Sequence, residues 1–399
     1  MVPGTPFWGA YSKVGYNHRE GPSSSQRPPH LPKGWQLEKD LEEIKAWKCN
    51  GCRAWRPSLD LLAEVGTSGL RGFSGPLMSP RCYIKYLKII FDHTLEFNRG
   101  FVTTVLDMVA WKNSKLQALS IVCHGKSPFF CSGQDILQSI LGLCQCSNKI
   151  DLRYIDLQQM PFTLDSRIIT MIARSCPNLH TLLINNHAPG IIILRAETIV
   201  EVLRVCPKLS TLGIYYASLS KDMFQELGKP SREPFKSLRL FYEGLDNDIP
   251  EELWVRLSER HPQLRVELEF APTVSTRKMP HILQPSIPIS TLRFNTFTHT
   301  ADLVRLVTSH YHRTLEKLVL YTAPSADLNF SLVEMAAKCV HLKEVHCSCV
   351  VSQAVIDAFL LHCPRLKRYA LSTVLFFCEF PHSWWNSPVA SRISSYFTF

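Results

Sequence analysis

No apolar run in the chain approaches the roughly 18 residues that a membrane-spanning helix requires. The longest, Ile191–Leu194 and Val374–Phe377, are strand-sized. Met1-Val2-Pro3-Gly4 carries neither a charged segment nor an apolar one, so no secretory leader is expected, nor the oxidising compartment that would favour disulfides. A cytoplasmic or nuclear location and no membrane partner follow from that reading. Glycine is scarce: of 18 residues, 10 fall in the first 80. There is no Gly-x-Gly-x-x-Gly and no His-Glu-x-x-His. Gly125-Lys126-Ser127 resembles the end of a phosphate loop, but Ser120 stands where that loop needs a glycine, and Pro128 removes a backbone donor. Gly72-Phe73-Ser74-Gly75 is one residue out for a nucleophile elbow. No catalytic residue and no cofactor is therefore expected. Charge of one sign is not concentrated either: the net +10 is spread thinly along the chain, which excludes a nucleic-acid arm and a polybasic membrane patch.

What is present divides the chain into three. Residues 1–80 hold 9 of the 26 prolines as well as most of the glycine, and Gly21–Pro29 reads as linker. Only about 33–65 has helical character there, with Leu37, Leu41 and Ile44 on one stripe. Residues 373–399 read as a C-terminal tail. Between them, over 81–372, one phrase recurs: apolar, two variable, apolar, one variable, apolar. It runs Leu116-x-x-Leu119-x-Ile121, Leu152-x-x-Ile155-x-Leu157, Leu179-x-x-Leu182-x-Ile184 and Leu209-x-x-Leu212-x-Ile214. It continues through Phe235, Ile289, Leu315, Leu342 and Leu366, with an irregular copy at Leu264. The ten anchors are 24 to 36 residues apart, within or just above the leucine-rich-repeat period of roughly 20–29.

Between phrases the apolar period becomes helical. Ser166–Cys176, Glu197–Cys206 and Ser352–Cys363 each put one apolar face forward, and Asp165, Ser220, Asp248, Asn329 and Ser352 are expected N-caps. Neither strand nor helix buries its apolar side alone. The predicted fold is therefore an α/β solenoid with parallel strands on the concave face and helices on the convex face.

Cysteine follows the same period. Cys144, Cys176, Cys206, Cys339 and Cys363 end repeat helices, and His261 and His310 take similar places. A small buried hydrophobe accounts for them, as for Cys347 and Cys349. Cys49-Asn50-Gly51-Cys52 has the spacing of half a zinc site, but no second pair lies nearby, so no metal is expected.

In each phrase the residues between the apolar ones point away from the core. They are Tyr154, Asp156, Tyr215, Arg239, Phe241, Arg265, Glu267, Glu269, Arg293, Lys317, Tyr321, Glu344, His346 and Arg368. Tyr, Arg and Phe are the types that carry interface energy, and Tyr215, Phe241 and Tyr321 are expected to be exposed. The concave face is thus the candidate surface for a protein partner, the alternative being a merely solvated face. Arg239 and Tyr215 are expected to be replaceable without loss of stability.

The phrase Cys-Pro-x-Leu at Cys176, Cys206 and Cys363 resembles the cysteine-containing repeats of F-box and leucine-rich-repeat proteins. Two longer stretches, Leu164–Leu179 and Val345–Leu366, are similar to that family in more specific detail. The resemblance implies a substrate receptor: an F-box grips the Skp adaptor of a cullin-based ubiquitin ligase while the repeats hold the protein to be ubiquitylated. Leu31-Pro32 and Cys52-Arg53-Ala54-Trp55 match the two ends of an F-box, but Lys33–Gly51 is too short and lacks its Ile-Phe-x-x-Leu phrase. A repeat scaffold, or a competitor without adaptor binding, is the alternative.

Overall fold

The computed structural model describes residues 85–93, 96–112, 116–124, 133–146, 150–186 and 194–373. The N-terminal helix stripe, the Cys49–Cys52 pair, both F-box-like ends, Gly72–Gly75, Gly125–Ser127 and residues 374–399 lie outside the described residues. In chain order the elements are β1 (Tyr86–Asp92), α1 (Glu96–Lys112), β2 (Ala118–His124), α2 (Gln134–Gln145), β3 (Tyr154–Gln159), α3 (Ser166–Ser175) and β4 (Thr181–Leu183). Then follow α4 (Ala196–Val205), β5 (Thr211–Tyr215), a 3-10 turn (Tyr216–Ser218), α5 (Lys221–Leu227), β6 (Ser237–Tyr242), α6 (Glu251–Arg260), β7 (Arg265–Phe270) and α7 (Met279–Ile282). The rest are β8 (Ile289–Asn295), α8 (Ala301–Tyr311), β9 (Lys317–Tyr321), α9 (Ala326–Lys338), β10 (Glu344–Val350), α10 (Gln353–His362) and β11 (Arg368–Ser372).

The eleven strands form one parallel sheet in chain order, β1 at one edge and β11 at the other. This is the predicted solenoid, with one unit more than the phrase revealed. In β1, Leu87, Ile89 and Phe91 alternate at period two and are all buried, without the two-residue lead that marks every other copy except the irregular one at Leu264. The second apolar residue of each phrase lies in register with the next: Leu119 beside Ile155, then Leu182, Leu212 and Leu238. All five are fully buried. The register slips in three pairs, β2–β3, β7–β8 and β10–β11; between β7 and β8, Val266 pairs with Ile289 but Glu267 with Thr291. The irregular Leu264 copy and the short α7 lie in this same stretch.

Helix ends show what the recurring cysteine does. The Cys206 thiol lies 3.5 Å from the Cys176 carbonyl and 3.6 Å from that of Ala173, and Cys363 repeats this with Cys339 and Ala336. Each thiol thus donates to carbonyls that the preceding helix end leaves without intrahelical partners. In the same position His261 sends Nε2 to Leu227 O at 3.0 Å. All five predicted cysteines are buried, as are Cys347 and Cys349, and the nine described cysteines are free thiols. A side chain not anticipated from sequence joins them. Buried Arg232 caps the end of α4, donating to the carbonyls of Leu203, Cys206 (3.2 Å) and Leu209 (3.4 Å). A cation suits that end of a helix dipole.

Three expectations are corrected. Asn329 is not an N-cap: Ser325 caps α9, accepting from Leu328 N at 3.0 Å, and Asn329 sits inside the helix. Asp248 does not cap α6, because Pro250 occupies that position. His310 is not the C-cap of α8, a position that His312 holds, although its Nδ1 lies 3.1 Å from Leu283 O and so reaches the preceding helix end as His261 reaches Leu227 O. Asp165 and Ser220 cap as predicted, accepting from Ile168 N at 2.7 Å and Met223 N at 3.2 Å. Ser352 holds its predicted N-cap position but makes no side-chain cap bond.

Candidate protein-binding face

The face of the sheet opposite the helices carries its side chains in rows, because parallel strands in register place equivalent residues side by side. One row runs Asp156, Leu183, Gly213, Arg239, Glu267, Thr291, Lys317, Glu344, Arg368. The next holds Tyr215, Phe241, Glu269, Arg293, Val319 and His346. Tyr154 shares the row before with Thr181, Thr211, Ser237 and Arg265, and Tyr321 pairs with Asn295 beyond. Every residue singled out from sequence therefore falls on this face, but the face has two unlike halves.

Across β3–β6 the polar groups satisfy one another. Tyr154 donates its hydroxyl to Asp156 Oδ2 at 3.2 Å, and Gln158 N donates to Asp156 Oδ1 at 3.1 Å. Burial, with the neighbouring Asp156 charge, pushes the Tyr154 hydroxyl up to about 12. Gln158 Nε2 donates to Asn185 Oδ1 at 2.8 Å, and Arg239 Nη1 donates to Gln158 Oε1 at 3.2 Å. Gln158, Asn185 and Gly213 were not anticipated as part of this face. Gly213 was the available signal, since a glycine inside a strand marks close approach of another group.

Tyr215 and Phe241 are not exposed as expected; they are 8% and 7% accessible. Their rings meet edge to face at 6.3 Å, and the Tyr215 hydroxyl is 2.7 Å from both the carbonyl and the Oδ1 of Asn186. Neighbours in a row cover each other, which a single strand's pattern cannot show. Tyr215 is therefore part of the packing, and replacing it would cost stability. Tyr321 is half-buried, its ring 6.0 Å from that of Phe297.

Across β6–β11 charges of opposite sign alternate. Arg239 Nε lies 3.3 Å from Glu267 Oε1, and Arg293 Nε 3.6 Å from Glu269 Oε2. Glu344 is a hub. It accepts from Lys317 Nζ at 2.8 Å and His346 Nε2 at 2.6 Å on Oε1, and from Arg368 Nη2 at 2.6 Å on Oε2. Burial alone would raise its carboxyl, but the bonds from Lys317 and His346 and the charges of Lys317 and Arg368 outweigh that and hold it below the usual carboxylate range. Arg265 turns aside, donating to Leu264 O at 2.8 Å. The result is a stripe of partly exposed cations and anions on a rigid sheet, able to read a partner of complementary charge pattern. Among the described residues, no group of three or more His, Cys, Asp or Glu side chains is placed to hold a metal ion.

No family model matches the sequence. The chain is similar to human F-box/LRR-repeat protein 8, 35% identical over 356 residues that span 85% of this chain and 92% of that one. It is likewise similar to F-box/LRR-repeat protein 8 of Mus musculus, 36% identical over 306 residues, 76% of this chain and 80% of the other. Among solved structures it is similar to one described as the crystal structure of the Rad7 and Elc1 complex in yeast, with a TM-score of 0.46, 14% identity and 79% of each chain covered. Identity above a third across nearly the whole length of the human relative, in a chain whose repeats form one parallel sheet, settles the relationship: the protein belongs to the F-box/LRR-repeat family.

Proposed function

We propose that the chain is the substrate-recognition subunit of an SCF-type ubiquitin ligase. It binds its target protein through the open face of the sheet and does no chemistry of its own. Its mechanism is proximity: a target lysine held beside a ubiquitin-loaded enzyme reacts as if at high local concentration. Membership in the F-box/LRR-repeat family supports the ligase role. The observation that carries the target-binding role is the charge-alternating stripe from Arg239 to Arg368, which is partly exposed and ordered by its own ion pairs. The Skp adaptor and the cullin are the further partners, and the cytoplasm or nucleus is the place of action. No helix among the described residues is long and apolar enough to cross a membrane.

Affinity purification from cells, followed by detection of the Skp adaptor, the cullin and co-purifying targets, tests this. Arg293→Glu combined with Lys317→Glu reverses two cations of the stripe and should cut target capture by roughly thirtyfold, the loss of about 2 kcal/mol typical of a central interface residue. Arg256→Glu, on the exposed face of α6, should leave capture unchanged. Capture of targets without adaptor or cullin would replace the ligase reading by that of a scaffold or competitor, for which the incomplete F-box phrase at Lys33–Gly51 is the motivating feature. Equal loss from both variants would move the binding face elsewhere.

A further inference from the structure

Two of the buried cysteines differ from the rest in what they meet. Cys206 and Cys363 each turn their thiol to carbonyls of the preceding helix end. Cys347 and Cys349 instead meet each other, with their sulfurs 3.3 Å apart. The backbone of β10 brings this about. Residues two apart on a regular strand share a face but stand about 6.6 Å apart along it. Between His346 and Val350, however, β10 advances four residues while β11 advances two, from Ala370 to Ser372. Pairing with β9 is regular as far as Cys347, which lies opposite Leu320. The surplus residues therefore fall within Cys347-Ser348-Cys349, and a strand bends where it carries a bulge. A separation of about 6.6 Å already falls inside the roughly 4.4–6.8 Å between Cα atoms that a disulfide bridges, and the bend shortens it.

The same pair is poised to react. Burial pushes the thiols of Cys206 and Cys339 up to about 12 and that of Cys363 up to about 11, so they stay protonated. At Cys349 the hydrogen bond donated by Cys347 outweighs burial and holds the thiol below its ordinary value. The thiolate is the attacking form of cysteine. Neither sulfur is sealed off: Cys347 and Cys349 are 7% and 6% accessible, where Cys206 and Cys339 are 0%. We propose that Cys347 and Cys349 are a dithiol redox site, which hydrogen peroxide oxidises to an intrachain disulfide and a small-molecule dithiol reduces. Cys349, as the thiolate, attacks one peroxide oxygen; the O–O bond breaks, hydroxide leaves and Cys349 becomes a sulfenic acid. The Cys347 sulfur then attacks that of Cys349. The S–S bond forms, the S–O bond breaks, and the departing oxygen leaves as water with the Cys347 proton. The hydroxide takes up the proton that Cys349 gave up. Two thiols and one peroxide thus yield one disulfide and two waters, with two electrons passing from sulfur to oxygen. The sulfurs have only to close from 3.3 Å to about 2.05 Å. The pair lies on the core side of β10, whose open side carries Glu344 and His346, so the site is separate from the candidate binding face.

Mass spectrometry of the full chain, purified reduced and then exposed to hydrogen peroxide, tests the proposal. Trypsin releases residues 344–365 as one peptide holding Cys347, Cys349 and Cys363. After free thiols are blocked with an alkylating agent, that peptide should carry one block, on Cys363, and should have lost the mass of two hydrogens. Dithiothreitol added before blocking should restore all three sites. In Cys347→Ser the second thiol is gone, and Cys349 should be recovered as a sulfenic acid trapped by dimedone. The wild-type measurement decides the matter even where that variant does not fold. Three blocked thiols after peroxide would overturn the proposal, as would Cys347 and Cys349 oxidised beyond sulfenic acid without a link. So would a first disulfide between Cys144 and Cys176, whose mutual hydrogen bond, with burial, holds the Cys144 thiol well above its ordinary value. A link whose yield rises with protein concentration would join two chains and would overturn it too. Adaptor and target binding play no part in these measurements, so failure here leaves the ligase reading standing.

Discussion

Arg239 and Gln158 are 81 residues apart in the chain and joined by a 3.2 Å hydrogen bond that crosses two intervening strands. The crossing is possible because β5 contributes Gly213 at that point in the row. A Cβ there would stand 2.2 Å from Asn185 Oδ1 and 3.1 Å from Leu183 Cδ2. Asn185 is the acceptor that steadies Gln158, so the glycine, the asparagine and the strap above them form one unit.

Gly213→Ala should therefore force Asn185 out of place and release Gln158 and Arg239 in turn. A cost of about 1–3 kcal/mol is expected, as for an added methyl group in a filled site. It should appear in urea denaturation as a lower midpoint with an unchanged slope. Pairing it with Gln158→Ala makes a double-mutant cycle, and a coupling of roughly 0.5 kcal/mol or more is the signature of a shared network. Strictly additive losses would mean that the strap does not depend on the glycine.

Much of this architecture was legible beforehand, and the exceptions have physical causes. The phrase revealed ten strands because a leading apolar residue folds back ahead of each; β1 lacks that residue and alternates only as Leu87, Ile89 and Phe91. The caps at Asp165 and Ser220 were readable because an acceptor side chain precedes an apolar helical run, whereas Ser325 beat Asn329 by standing three residues before Leu328, the first buried residue of α9. The direction of the open-face residues followed from strand alternation, but their exposure did not. Tyr215 is closed off by Phe241 from the next strand and by Asn186, three residues past the end of the strand before. Arg232 was illegible for a related reason: its three carbonyl partners belong to a unit more than twenty residues earlier.

The histidine in the cysteine position makes a pH prediction. His261 is 2% accessible; its Nδ1 accepts from Phe235 N at 3.2 Å and its Nε2 donates to Leu227 O at 3.0 Å. Both bonds together require the neutral ring with its proton on Nε2. Burial lowers its proton affinity most; the bond to the Leu227 carbonyl opposes this, and the charges of Arg260 and Arg232 lower it further by smaller amounts. The folded state thus binds fewer protons than the unfolded state, whose histidine titrates near about 6.5. The stabilising contribution is complete above that pH and declines as pH falls below it, by at most about 1.4 kcal/mol per pH unit for one proton. His261→Cys, which installs the residue found at Cys206 and Cys363, should flatten the decline between pH 7.5 and 5.5. A wild type and variant with parallel pH profiles would assign the titration to another group.

Glu243 predicts a dependence of the opposite sign. It follows the end of β6, and its Oε2 is buried with no hydrogen-bond partner among the described residues. Burial pushes its carboxyl up to about 7. A free glutamate loses its proton near about 4.3, so between that pH and about 7 the folded state holds a proton that the unfolded state has released. Stability from this group is therefore present at low pH, falls as pH rises through that window and stays lost above it. Glu243→Gln keeps the shape and removes the ionisation. The variant should be more stable than wild type at pH 8 by about 1–2 kcal/mol, a figure reduced from the full linkage value because the side chain is only partly withdrawn from water. Near pH 4 the two proteins should unfold at the same urea concentration. A gain of equal size at both pH values would trace the effect to packing of the amide, and no gain at pH 8 would show that the carboxylate is accommodated where it stands.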